Sequence, residues 1–79
     1  MEIREVKKDK KKYLHLLLLA DEQEDMIDRY LERGTMYILL DDESVKCECV
    51  VTDEGNGILE LKNYSCGAGV SGKGIWEKI

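Results

Sequence analysis

Ile58-Leu59-Glu60-Leu61-Lys62-Asn63-Tyr64-Ser65-Cys66 runs into Gly67-Ala68-Gly69-Val70-Ser71-Gly72-Lys73-Gly74 and then Ile75-Trp76-Glu77-Lys78-Ile79, and this stretch decides how the chain folds. The first segment reads as a strand, the second as a glycine loop and the third as the opening of a helix. Glycines free backbone N–H groups to point at an anion, and the positive end of the following helix dipole favours the same charge. Such a loop suits a pyrophosphate.

Working outward, Asp53-Glu54-Gly55-Asn56-Gly57 has the composition of a tight turn, so Ile58 to Tyr64 should pair with the segment before it. That segment has period two. Val45, Cys47, Cys49 and Val51 share one face, and Lys46, Glu48 and Thr52 lie on the other with Val50, as in a half-buried strand. Asp41 to Ser44 reads as a hairpin connection, and Thr35 to Leu40 as a largely buried strand. These strands predict an antiparallel meander.

The N-terminal part supplies a strand and helices. Met1 to Val6 is a strand candidate with Ile3 and Val6 as its apolar contacts. Asp9 is placed to cap a helix over Lys10 to Ala20, whose apolar face is Tyr13, Leu14, Leu17 and Leu18. Asp21, with Glu24 in the position of a capping box, opens a second helix with Met26, Ile27, Tyr30 and Leu31 on one face. Arg33 falls in its last turn, and Gly34 is the expected left-handed terminator. The predicted fold class is α+β, in the order β-α-α-β-β-β followed by the start of a helix, with residues 1–79 as a single domain.

At 79 residues with a formal net charge of -5, the chain is small and acidic, which argues against a dedicated nucleic-acid binder. Lys7, Lys8, Lys10, Lys11 and Lys12 beside Arg4 form a local basic run that reads as a solvated junction. The longest apolar run, Leu16 to Ala20, is far too short to cross a bilayer, so no membrane partner is expected. Three cysteines without an apolar leader predict reduced thiols and a cytoplasmic protein.

The element order, the segment Val50-Val51-Thr52-Asp53-Glu54-Gly55-Asn56-Gly57-Ile58-Leu59-Glu60-Leu61-Lys62-Asn63 and the loop Ser71-Gly72-Lys73-Gly74-Ile75 resemble the N-terminal half of the GNAT superfamily of N-acetyltransferases. The resemblance covers all of the chain and implies an incomplete acetyltransferase-like domain. In that family the fourth strand and the loop after it bind acetyl-CoA, with backbone amides of a Gln/Arg-x-x-Gly-x-Gly/Ala segment on the pyrophosphate. Here Ser71 stands in the place of Gln or Arg, Gly74 matches the first fixed glycine, and Trp76 replaces the small residue. The resemblance thus implies acetyl-CoA as cofactor, held by Cys66, Ser71, Gly72, Lys73 and Gly74. It also implies that Glu60, on the fourth strand, is the general base toward the amine of a small molecule or protein. The family's general-acid tyrosine lies in its C-terminal half. Read on its own, Glu60 is first a strand carboxylate paired with Lys46 or Lys62.

Other motifs compete less well. Gly67 to Lys73 fits a nucleotide-binding G-x-x-x-x-G-K loop, but Gly74 stands where the magnesium-binding Ser or Thr belongs, and the loop does not follow the first strand of a parallel sheet. Cys47 and Cys49, with Cys66 and His15, lack the usual zinc spacings and read as core residues, so no metal is expected. His15 reads as a surface side chain, the tyrosines as core or rim residues, and Trp76 as a candidate anchor for another chain.

The expectation is therefore an acetyl-CoA-dependent N-acetyltransferase that is inactive as this chain alone. The alternative is a noncatalytic half-domain that associates with itself, as a dimer, or with another protein through its open sheet edge and apolar helix faces.

Overall fold

The computed structural model describes residues 2–67. Strand β1 (Glu2–Val6) leads through a 3-10 turn (Lys10–Tyr13) into helix α1 (Leu14–Ala20), helix α2 (Glu24–Leu31) and the strands β2 (Thr35–Asp41), β3 (Ser44–Gly55) and β4 (Ile58–Cys66). The strands form a four-stranded antiparallel sheet in the order β1-β2-β3-β4. This is the expected α+β meander.

Local chemistry explains the turns. Asp42 and Glu43 at the β2–β3 corner both have positive φ, 52° and 64°, as do Asn56 and Gly57 at the β3–β4 corner, 56° and 77°. Two left-handed residues give the turn whose twist matches that of the flanking strands, and Asn-Gly is its most favourable pair. The carboxylate of Asp53 also accepts from the Gly55 backbone N–H at 2.8 Å.

Both helices pack on one face of the sheet, where Leu17, Ile27, Tyr30, Leu31, Met36, Ile38 and Val50 form the core. Burying Ile27 and Leu31 completely contributes on the order of 1.5–3 kcal/mol each before entropy is charged. Met26, expected on the same stripe, lies at its edge and is 38% exposed.

The helix starts differ from expectation. The first helix begins as a 3-10 turn, and Asp9 precedes it in left-handed conformation (φ 57°) without a side-chain cap. Asp21 does not cap α2. Its carboxylate accepts from the backbone N–H of Gln23 at 3.3 Å, forming a local turn that delays the helix to Glu24. Gly34 is not left-handed. A Cβ there would lie 2.8 Å from a Val50 methyl and 2.9 Å from the Tyr30 carbonyl oxygen, so glycine is required by close approach.

Lys10 departs from the solvated basic run. It is 6% exposed, and its ammonium donates to the carbonyl oxygens of Leu31, Glu32 and Gly34 at 2.8, 3.4 and 2.7 Å. Leu31 and Glu32 carry carbonyls at the end of α2 that no helical N–H reaches, and a cation is favoured at that negative end.

Candidate functional site

Register decides which side chains meet on β3 and β4. The β2–β3 pairing shifts between Leu39 and Leu40, so Leu39 faces Cys47 while Leu40 faces Val45, and Val45 joins the helix-packed core instead of the Cys47 face. A second shift lies between Val50 and Val51, which face Asn63 and Leu61. Each skipped residue, Lys46 and Lys62, is a bulge that re-aims its strand.

Glu60 lies opposite Thr52 on β4 and is exposed. Its carboxylate pairs with the Lys62 ammonium at 3.0 Å. Of the two lysines considered for it, Lys62 is therefore its neighbour. An exposed ion pair of this kind is worth roughly 0–1 kcal/mol, which leaves Glu60 available for chemistry at little structural cost.

Cys66 lies at the end of β4, directly opposite Cys47, and the two are joined as a disulfide with a Cα separation of 4.0 Å. This corrects the expectation of three reduced thiols. The period-two reading concerned each strand separately, whereas a cross-strand pair is set by the register between them. Cys49 is a buried free thiol, pushed up to about 12 by burial first and by neighbouring Glu48 second, so it is a packing group and not a nucleophile. Gly67 follows with its N–H donating to the Lys46 carbonyl at 2.8 Å. Ser71, Gly72, Lys73 and Gly74, the rest of the expected cofactor contacts, lie outside the described residues, as does Trp76.

The acidic stretch that begins at Asp21 is already answered from within. Lys11 bridges Glu24 and Asp28, the latter at 2.6 Å, and both carboxylates raise its ammonium pKa, Asp28 foremost. His15 is exposed on α1, and no His/Cys/Asp/Glu group among the described residues could hold a metal ion. A recess bounded by Glu2, Arg4, Leu40, Asp42 and Glu43 lies by β1 and the β2–β3 turn and contains none of the candidate residues.

The half-buried pattern fails most clearly at polar groups. Glu48 and Thr52, read on the face shared with Lys46 and Val50, are fully buried, and Asn63 and Ser65 are 3% and 8% exposed. Asn63 donates to the Leu17 carbonyl at 3.0 Å and to the Tyr30 hydroxyl at 2.9 Å, and Ser65 contacts both the Leu16 carbonyl and Glu48. Thr52 donates to Glu54 at 2.7 Å, and Glu54 accepts from Arg33 at 3.1 Å, which together hold the Glu54 carboxyl below its usual range. The available signal was the setting of Glu48, between two cysteines and a pair of valines.

Solved structures share this architecture. An IAA acetyltransferase from Bacillus cereus ATCC 14579 superposes with a TM-score of 0.82 at 31% identity, over 98% of this chain and 51% of its own. This chain carries the N-terminal half of a GNAT acetyltransferase fold. A GNAT family acetyltransferase from Elizabethkingia anophelis, solved with acetyl-CoA bound, superposes with a TM-score of 0.83 at 25% identity, over 98% of this chain and 50% of its own. The chain thus spans about half the length of these GNAT relatives. No family model matches it, and no curated protein does. Among the described residues, no helix of the GNAT half-fold is long and apolar enough to cross a membrane.

Proposed function

We propose that the chain supplies the N-terminal half of an acetyl-CoA-dependent N-acetyltransferase acting on a primary amine of a small molecule or protein. The observation that carries this reading is the likeness to acetyltransferases over 98% of the chain, one of them holding acetyl-CoA. Glu60 is the general base, being exposed and on β4, the strand that leads toward the glycine loop. Acetyl-CoA bound there would supply the acetyl thioester, whose sulfur would leave with the C–S electron pair as the coenzyme A thiolate, and Glu60 would take the proton that the attacking amine nitrogen loses.

The described part of the cofactor site fits in part. β4 is last in the sheet order, so its outer edge has no neighbouring strand among the described residues. A polyamide arm can hydrogen-bond to such an edge. The Cys66 sulfur is engaged in the disulfide, so Cys66 contributes main-chain groups, while Ser71, Gly72, Lys73 and Gly74 take the pyrophosphate. A cytoplasmic location belongs to the same reading.

Titration with acetyl-CoA, read by Trp76 fluorescence and thermal midpoint, tests the proposal. A saturable shift at micromolar cofactor is expected, and no shift at millimolar concentration refutes it. With a polypeptide supplying the C-terminal half, Glu60→Gln should keep the cofactor shift and lower acetyl transfer about 100-fold. Equal rates would remove Glu60 from the mechanism.

A second reading, self-association through β4, is favoured by the exposure of Ile58, Leu59 and Leu61, at 58%, 68% and 59%. Antiparallel pairing of two β4 edges about Leu61 sets Glu60 of each copy opposite Lys62 of the other. Light scattering over a concentration series distinguishes dimer from monomer.

A further inference from the structure

Beneath α1 the geometry of one serine fixes the place of a proton. Ser65 Oγ lies 2.5 Å from the Leu16 carbonyl oxygen and 3.0 Å from Glu48 Oε2. A carbonyl oxygen only accepts, so the hydroxyl proton of Ser65 goes to Leu16. The contact between Ser65 and Glu48 then needs its proton from the carboxyl group. Glu48 is fully buried, and its other oxygen, Oε1, has no hydrogen-bond partner. An ionised carboxylate in this position would be a desolvated charge facing a lone pair, whereas the neutral acid completes the chain of donors.

We infer that Glu48 enters the fold as a neutral carboxylic acid that donates to Ser65, and that this relay to the Leu16 carbonyl is a pH-sensitive latch holding α1 on β4. Against burial the charged form has only hydrogen bonds from Ser65, which lower the pKa without offsetting the loss of water. From β2 it meets Ile38, its register partner, and from α1 the Leu16 and Leu17 backbone. From α2 comes the Tyr30 phenol, which spends its proton on Asp21 at 3.4 Å and so has none for Glu48. Cys49 is next to it on β3, on the other face of the sheet, and from β4 it meets Ser65, with Asn63 one pleat away. Asn63 spends both amide hydrogens on Leu17 and Tyr30 and leaves its own Oδ1 unpartnered, so it has no donor for Glu48.

Burial pushes the Glu48 carboxyl from 4.5 up to about 7. A carboxyl raised in the folded state gives stability that is complete below its unfolded value and is lost as pH climbs to the folded one. The window is therefore pH 4.5 to about 7. Glu54, held low by the Thr52 hydroxyl and then by Arg33, acts oppositely and costs stability on acidification.

Glu48→Gln keeps the shape and makes the donor permanent, so the difference between parent and variant isolates the latch from Glu54. Between pH 5 and pH 8 the thermal midpoint of the parent should fall by at least about 5 °C more than that of Glu48→Gln, with hydrogen exchange rising along α1. Parallel profiles would overturn the inference. Should the variant not fold, NMR titration of the Glu48 carboxyl carbon in the parent decides. A midpoint near neutrality supports the latch, and one in the ordinary glutamate range refutes it.

Discussion

The two halves of strand β4 invert the usual relation between hydropathy and burial. Before the bulge, Ile58, Leu59 and Leu61 are 58%, 68% and 59% exposed, while after it Asn63 and Ser65 are 3% and 8% exposed. The difference lies in what stands above each half. α1 lies across the second half, and its Leu16 and Leu17 carbonyls accept from Ser65 and Asn63. The apolar side chains of the first half are left open to solvent among the described residues. Burial along a strand is thus set by docking, and a buried polar residue is tolerated where its donors are spent.

The largest expected way to break this contrast is to loosen α1 itself. Leu17 is completely buried, and Leu17→Ala should cost about 2–5 kcal/mol in urea unfolding, uncovering Asn63 as the helix shifts. A cost under about 1 kcal/mol would mean that α1 is not what covers β4. Asn63→Ala should follow, at about 1–3 kcal/mol, because the Leu17 carbonyl and Tyr30 hydroxyl lose their buried donor. Unchanged stability there would show that water replaces the amide freely. The smallest effect belongs to the exposed half. Leu61→Ser should stay within about 0.5 kcal/mol in folding stability, yet weaken self-association if β4 pairs with a second copy. A large folding cost would show that Leu61 is covered in solution.

Much of the fold was legible because its signals are local. Asn56-Gly57 dictates its turn through left-handed backbone, and Asp41 to Ser44 marks the other corner as a polar break between two apolar runs. The amphipathic spacing of Ile27, Tyr30 and Leu31 marks α2 for the same reason. Glu60 could be singled out on β4, and its pairing with Lys62 was among the options the sequence offered. The interior polar groups could not be read in this way. A bulge at Lys46 moves Val45 to the other face, and the residues that satisfy Glu48 and Ser65 come from strands and a helix distant in sequence.

By itself, then, the sequence determined the order of strands and helices, the positions of the hairpin corners and most of the apolar face of α2. These follow from backbone sterics and periodicity within a few residues. Only the tertiary structure decided that Gly34 is needed for close approach, that Lys10 ends α2, that Cys47 meets Cys66, and that Glu48 is sealed beneath α1. Each of those depends on register and docking between segments far apart in the chain. No window of neighbouring residues carries that information.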